Sequence, residues 1–232
     1  MSNNIKQDDK NKPYIFLCQI LTALSLTLFV ITLSVNLSTL NKGIYAFSIK
    51  NLKIEDTSGM KKSEMVQNYN SLVDNLYSNS YDFNLPTLPS STNGEIHFIE
   101  VKKIYDVIQI IFYISGSLSL LGLILIKRGY FRFLKWSVIA STATPILLGV
   151  LASINLDKSF TIFHKIFFNN DYWHLDPTTD PVIDILPQEF FYFSGASILL
   201  LILTGSIILL YTYKRKITTF KPLNSKIETA NV

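Results

Sequence analysis

Charged side chains are absent from four stretches of the chain: between Lys12 and Lys42, Asp106 and Lys127, Lys135 and Asp157, and Glu189 and Lys214. Each gap is at least 20 residues long. At about 1.5 Å of rise per residue, a helix of that length crosses the roughly 30 Å of a hydrocarbon core. The pattern predicts four transmembrane helices, at 14–37, 107–126, 137–156 and 191–213. The first run has a basic start, but its apolar stretch exceeds a signal-peptide core and no small-x-small cleavage site follows it. It reads as an uncleaved anchor.

The remaining segments are 1–13, 38–106, 127–136, 157–190 and 214–232. In the first long connector, "GIYAFSIKNLKI" alternates at Tyr45, Phe47 and Ile49, then shifts phase to Leu52 and Ile54. That predicts a short edge strand with a bulge near Asn51. "KKSEMVQNYNSLVDNLYSN" spaces Met65, Tyr69, Leu72, Val73 and Leu76 as one face of an amphipathic helix, expected to pack on its own domain or on the bilayer surface. "LPTLPSSTNG" breaks the pattern, and "EIHFIEVKKIYDV" leads into the second span with His97 and Glu100 on one helix face. In the second connector, Phe160, Phe163, His164, Phe167 and Asp171 gather on one side of a helix that would lie in the membrane interface. Pro177 and Pro181 stop any continuation. The fold class is all-α integral membrane: four spans under a cap of amphipathic helix, short strand region and interfacial helix.

Charge then orients the chain. The two termini and the "KRGYFRFLK" connector hold twelve basic residues and three acids, a net +9. The two large connectors hold nine lysines and fourteen acids, a net −5. By the positive-inside rule, both termini are cytoplasmic and the large connectors face outward. The pI near 9.0 thus reflects topology, and nucleic acid is not an expected partner.

Candidate chemistry is sparse. The one cysteine, Cys18, sits in the first span; it rules out an internal disulfide and is expected to be a small buried hydrophobe. No GxSxG, HExxH or phosphate-binding glycine loop is present, and no arginine lies on the outer side. Asp176, Asp180 and Asp184 read as turn caps before they read as a calcium site. No metal and no cofactor is expected. All three histidines, His97, His164 and His174, lie in the outer connectors. An imidazole near its ordinary pKa of about 6.5 accepts and returns a proton at neutral pH, so acid–base work on a substrate at headgroup depth is the chemistry these residues offer.

The segments "LPTLPSSTNGEIHFIEVKKIY" and "FHKIFFNNDYWHLDPTTDPVIDILPQEFF" resemble the two signature regions of a bacterial four-helix membrane family, the lipoprotein intramolecular transacylases. The family pattern is a Leu-Pro-x-Leu/Phe-Pro turn, a histidine, and Asp-Val-Lys. Further along come Phe-His-x-x-Phe-Phe, a Trp, Asp-Pro, an Asp, and Leu-Pro-x-x-Phe-Phe. Here Glu100 stands where the family has the aspartate. The resemblance implies an acyltransferase of the bacterial cell membrane, with diacylated lipoproteins as substrate and membrane lipids as partners. It would move the sn-2 acyl chain of the N-terminal diacylglyceryl cysteine to the α-amine, giving a lyso-form lipoprotein.

That chemistry agrees with the residues. The amine must lose a proton and the glycerol oxygen must gain one, and one imidazole serves both. His164 is expected to be the shuttle and His97 to donate to the oxyanion or orient the amine. Glu100 or Asp157 would orient an imidazole, and Trp173 or Asn169 would supply hydrogen bonds. Phe163, Phe167 and Phe168 would meet acyl chains or the interface. Two other readings fit the layout: a non-enzymatic assembly or regulatory protein docking through its outer amphipathic helix, and a different lipid acyl hydrolase or transferase. Mass spectra of lipoprotein N-termini and of phospholipids separate the three.

Overall fold

A computed structural model describes the backbone of residues 13–230 and the side chains of residues 13–219. Its ten helices are α1 (Pro13–Leu40), α2 (Lys42–Asn51), α3 (Ile54–Ser58), α4 (Lys62–Leu76), α5 (Thr92–Ser119), α6 (Leu121–Lys127), α7 (Arg132–Ile154), α8 (Leu156–Phe167), α9 (Val182–Ile185) and α10 (Gln188–Ala230). Among the described residues, four helices are long and apolar enough to cross a membrane: α1, α5 continued by α6, α7, and Gln188–Thr219 of α10. The third ends two residues short of its charge-free stretch. There Asn155 turns the chain, its side chain accepting the Lys158 N–H at 2.9 Å to start α8.

Among the described residues there is no strand, which corrects the expected strand region. Tyr45, Ser48 and Ile49 are buried on α2 at helical spacing, while Phe47 points out, 55% exposed. The run is short enough to satisfy both periods. Asn41 settles it by capping the helix, its side chain accepting the Gly43 N–H at 3.1 Å. The shift of phase at Leu52 is a helix break, with Lys53 in the left-handed region at φ 52°.

The chain divides into two compact units. One comprises residues 13–34, 111–147 and 200–230 of the described chain. Its helices pack through an apolar cluster around Phe131, Phe133 and Leu134 and through polar side chains. The Gln19 Oε1 accepts the N–H of Arg132 at 3.1 Å, at the start of α7 where that donor has no helical partner. Ser141 and Ser206 share a hydrogen bond of 2.8 Å, and Ser137 donates to the Ala23 carbonyl at 3.2 Å. Cys18 is exposed on α1 and Gln19 beside it is buried, the reverse of the burial expected for the thiol.

The other unit comprises Val35–Ile110 and Leu148–Leu199, and it carries an apolar core whose buried residues, Phe190 apart, lie outside the charge-free stretches. The expected face of α4 is buried there: Met65, Tyr69, Leu72, Val73 and Leu76 pack with Ile54, Val182 and Ile185. Tyr45 stacks on Tyr69 with ring centroids 4.0 Å apart, and Phe190 meets both rings edge-on. The Leu-Pro-Thr-Leu-Pro turn brings Leu85 and Leu88 into this core and ties Thr87 to α4. The Thr87 N–H donates to the Asn68 Oδ1 at 3.2 Å, and its hydroxyl donates to the Glu64 Oε1 at 2.9 Å.

The two signature segments meet at the start of α5. The buried Asp180 carboxylate accepts the Ser91 N–H at 2.8 Å, placing a negative charge at the N-terminal end of that helix. Gly94 lies against the same carboxylate. A Cβ there would collide with the Asp180 Oδ1, so this position requires glycine. Asp176 also caps a turn, its Oδ1 accepting the Thr178 N–H at 2.9 Å.

Candidate active site

Two helices of this second unit present imidazoles to each other. His97 lies on α5, one turn into the helix that Asp180 caps, and His164 lies on α8. Their ring centroids are 6.0 Å apart with the planes at 38°. His97 is 7% exposed and His164 9%.

The hydrogen bond of His164 fixes its chemistry. Its Nδ1 is 2.8 Å from the Phe160 carbonyl oxygen. A carbonyl only accepts, so Nδ1 carries the proton and the lone pair of the neutral ring is at Nε2. The ring is held on several sides by aromatics: Trp173 at 4.6 Å and 24°, Phe160 at 4.2 Å, and Phe168 at 5.7 Å between centroids. Burial lowers its pKa from the ordinary 6.5, the Phe160 carbonyl opposes that shift, and nearby His174 adds to it.

His97 is the opposite case, since its Nδ1 is buried without a hydrogen-bond partner. The ring lies 4.9 Å from Phe168, which therefore borders both imidazoles. All charged residues of α5 stand between Glu95 and Asp106, so this part of the helix is not a stretch that hydrocarbon accepts. Burial, and then the neighbouring His164, push the His97 pKa down to about 4. Both rings are neutral at pH 7. An orphaned buried nitrogen of this kind is costly unless a ligand supplies its partner.

The helix bearing His164 is amphipathic with its apolar side bare. Ile162, Phe163, Ile166 and Phe167 are exposed, Ile166 by 70%, while His164 turns inward at the edge of that face. Of the expected contact residues, Phe163 and Phe167 are on this open side, their rings 4.8 Å apart, and Phe168 is buried beside both histidines. The helix stops at Phe167, and Asp171 lies in the turn beyond it, so it does not share the helical face expected for it. Phe168 is already extended, at φ −124° and ψ 131°.

The expected supporting residues divide. Glu100 reaches the site indirectly, accepting from the Asn170 Nδ2 at 2.9 and 3.2 Å. The Trp173 Nε1–H donates to the Asn170 backbone carbonyl at 3.1 Å, and the indole lies over His164. Asn169 is exposed, and Asp157 accepts from Gln188 at 2.9 Å. Asn170 and the Phe160 carbonyl were not singled out by the sequence. Two adjacent asparagines carry no signal to say which turns inward, and a backbone carbonyl has no sequence signature. His174 is exposed, 3.9 Å from Asp171, with its ring against Trp173. Among the described residues, no three histidine, cysteine, aspartate or glutamate side chains gather as a metal site.

Comparisons with known proteins bear on this arrangement. The family model for the lipoprotein intramolecular transacylase Lit matches residues 20–191. An Aquifex aeolicus protein described as uncharacterized is 29% identical over 126 residues, covering 52% of this chain and 58% of that protein's length. The solved structure of the membrane integral lipoprotein intramolecular transacylase Lit from Bacillus cereus is 37% identical and superposes with a TM-score of 0.86, over 90% of this chain and 98% of that one. Two further structures of the Bacillus cereus protein, with one histidine replaced by arginine or by alanine, are each 36% identical with a TM-score of 0.82.

Proposed function

The chain belongs to the lipoprotein intramolecular transacylase Lit family, and we propose that it transfers an acyl chain within a diacylated lipoprotein, from the sn-2 oxygen of the diacylglyceryl group to the α-amine of the N-terminal cysteine. The observation that carries this reading is the pair of buried, neutral imidazoles 6.0 Å apart beside an open apolar helix face.

The chemistry requires one nitrogen–carbon bond to form and one carbon–oxygen bond to break. The amine nitrogen attacks the ester carbonyl, and the His164 Nε2 takes the proton the amine sheds. The tetrahedral intermediate collapses, the ester carbon–oxygen bond breaks, and the same nitrogen returns the proton to the departing glycerol oxygen. The His164 Nδ1–H stays on the Phe160 carbonyl throughout, holding the ring in the useful tautomer. The unpartnered His97 Nδ1 is suited, in its protonated tautomer, to donate to the oxyanion as it forms, satisfying an atom that is otherwise stranded. Amine and ester belong to one molecule, so the substrate supplies much of the proximity, and a serine or cysteine nucleophile is not needed.

The open side of α8 suits the location of such an ester. Ile162, Phe163, Ile166 and Phe167 would lie among acyl chains while His164 stands at the level of the glycerol. The charge distribution supports cytoplasmic termini and an extracytoplasmic site. Incubating the purified protein with a synthetic diacylated lipopeptide tests the proposal. Mass spectrometry should show an N-acyl lyso product of unchanged total mass, whose fragments carry the acyl group on the amine. An unchanged lipopeptide, or a free fatty acid in place of the amide, would end the reading.

A further inference from the structure

The two imidazoles ride on different segments, and one side-chain hydrogen bond joins those segments. Glu100 stands three residues beyond His97 on α5, and Asn170 and Trp173 lie in the connector after α8. The Asn170 Nδ2 donates to Glu100, while its Oδ1 accepts the Tyr172 N–H at 3.0 Å and its backbone carbonyl accepts the indole N–H of Trp173. The bond to Phe160 pins His164 at one ring edge and leaves it able to rock about that edge. The Trp173 face, 4.6 Å away and within 24° of parallel, stops the rocking.

We propose that Glu100 and Asn170 are positioning residues: their hydrogen bond seats Trp173 on His164 and so sets the angle at which the two imidazoles face the substrate. The proposal rests on the acyl-transfer reading above. Neither side chain touches reacting atoms, and both act through the indole. The coupling is cooperative because a buried indole N–H needs an acceptor. If Asn170 shifts, Trp173 loses that acceptor and leaves the imidazole, and water enters. A carboxylate is the stronger partner for the amide, which accounts for an acid at a position away from the reacting atoms. The titratable groups about His164 are His97 on α5, His174 beside Trp173, and Glu100 behind Asn170; Asp157, Lys158 and Lys165 share its own helix.

The test uses the full-length protein in lipid–detergent micelles with a synthetic diacylated lipopeptide, reading kcat, KM and the pH dependence of N-acylation. N170A and E100A should lower kcat about 10- to 100-fold with KM within about twofold, as expected for a misplaced catalytic group. Their acid limb should move up toward the ordinary imidazole value as water reaches His164. N170D should lose as much, because it sets two carboxylates against each other. The exchange E100Q/N170D restores a donor and an acceptor with roles reversed, and should recover most of the kcat and the native acid limb. Single variants with unaltered kcat and limb would overturn the proposal, as would an exchange no better than N170D alone. If the parent protein itself leaves the lipopeptide without an N-acyl group, the acyl-transfer reading falls, whatever these variants do. An H164A variant as active as the parent would overturn the proposal, since it needs His164 to be the ring that Trp173 positions.

Discussion

The helices α4 and α8 belong to the same unit and have the same kind of pattern, an apolar stripe against a polar one, yet they use it in opposite ways. The α4 stripe is hidden: Met65 is fully buried, and Tyr69, Val73 and Leu76 join it in the core. The α8 stripe is bare, with Ile166 exposed by 70% and a histidine at its inner edge. Amphipathicity therefore says that a helix has two sides, without saying what covers the apolar one. What separates them in the sequence is the residue at the border. Polar and amide groups flank the α4 stripe and find partners such as Thr87, whereas α8 places an ionisable ring there.

Breaking α8 chemically should give the largest effect. His164→Ala is expected to lower N-acylation by about 10²- to 10⁴-fold, a loss larger than the lowered melting temperature of a trimmed buried ring explains, because it removes the proton shuttle. A melting temperature that collapses along with activity would instead make the ring structural. Met65→Ala on α4 should do the reverse, costing about 2–5 kcal/mol of stability in a thermal or denaturant melt, since it empties a fully packed position.

The histidine pair should also tie stability to pH. Unfolded, both rings protonate near 6.5; folded, burial holds them neutral to lower values, about 4 for His97. Protons thus bind the unfolded state preferentially as the pH falls below 6.5. Stability should drop across that window by roughly 3 kcal/mol from His97 alone, levelling below its folded value. Melts of the His97→Phe variant should lose most of this slope. In the acyl-transfer rate, the substrate amine sets one acid limb near its ordinary value of about 7.7–8.0, and His164 adds a second below 6.5. The logarithmic slope should therefore steepen from one to two, and a profile with a single limb would take the imidazole out of the reaction. The smallest change belongs to Ile166→Ala, within about 0.5 kcal/mol in detergent, because the side chain is already exposed.

The four spans were legible because runs of 20 residues without a charge are rare in folds built for water and routine in those built for hydrocarbon. His97 and His164 were singled out through family resemblance, while the approach of their rings to 6.0 Å is a tertiary contact that no local spacing carries. The strand expected at Tyr45 failed because Tyr45, Phe47 and Ile49 alternate while Tyr45, Ser48 and Ile49 also fit a helix, and tertiary burial chose the second set. Asn169 was expected to supply a hydrogen bond, and Asn170 is the neighbour that makes one, to Glu100. No local rule distinguishes two identical side chains in a turn. Cys18 is exposed against expectation because a thiol is equally at home against lipid and against protein.

Gly94 gives the capped start of α5 a consequence for genetics. Adding a methyl there would push Asp180 off the helix end, and with it the whole approach of one imidazole toward the other. A random screen for lost acylation should thus return alleles at this chemically inert residue, one turn before His97, about as readily as at the histidines, and a map drawn from such alleles alone would mistake a hinge pin for an engine part.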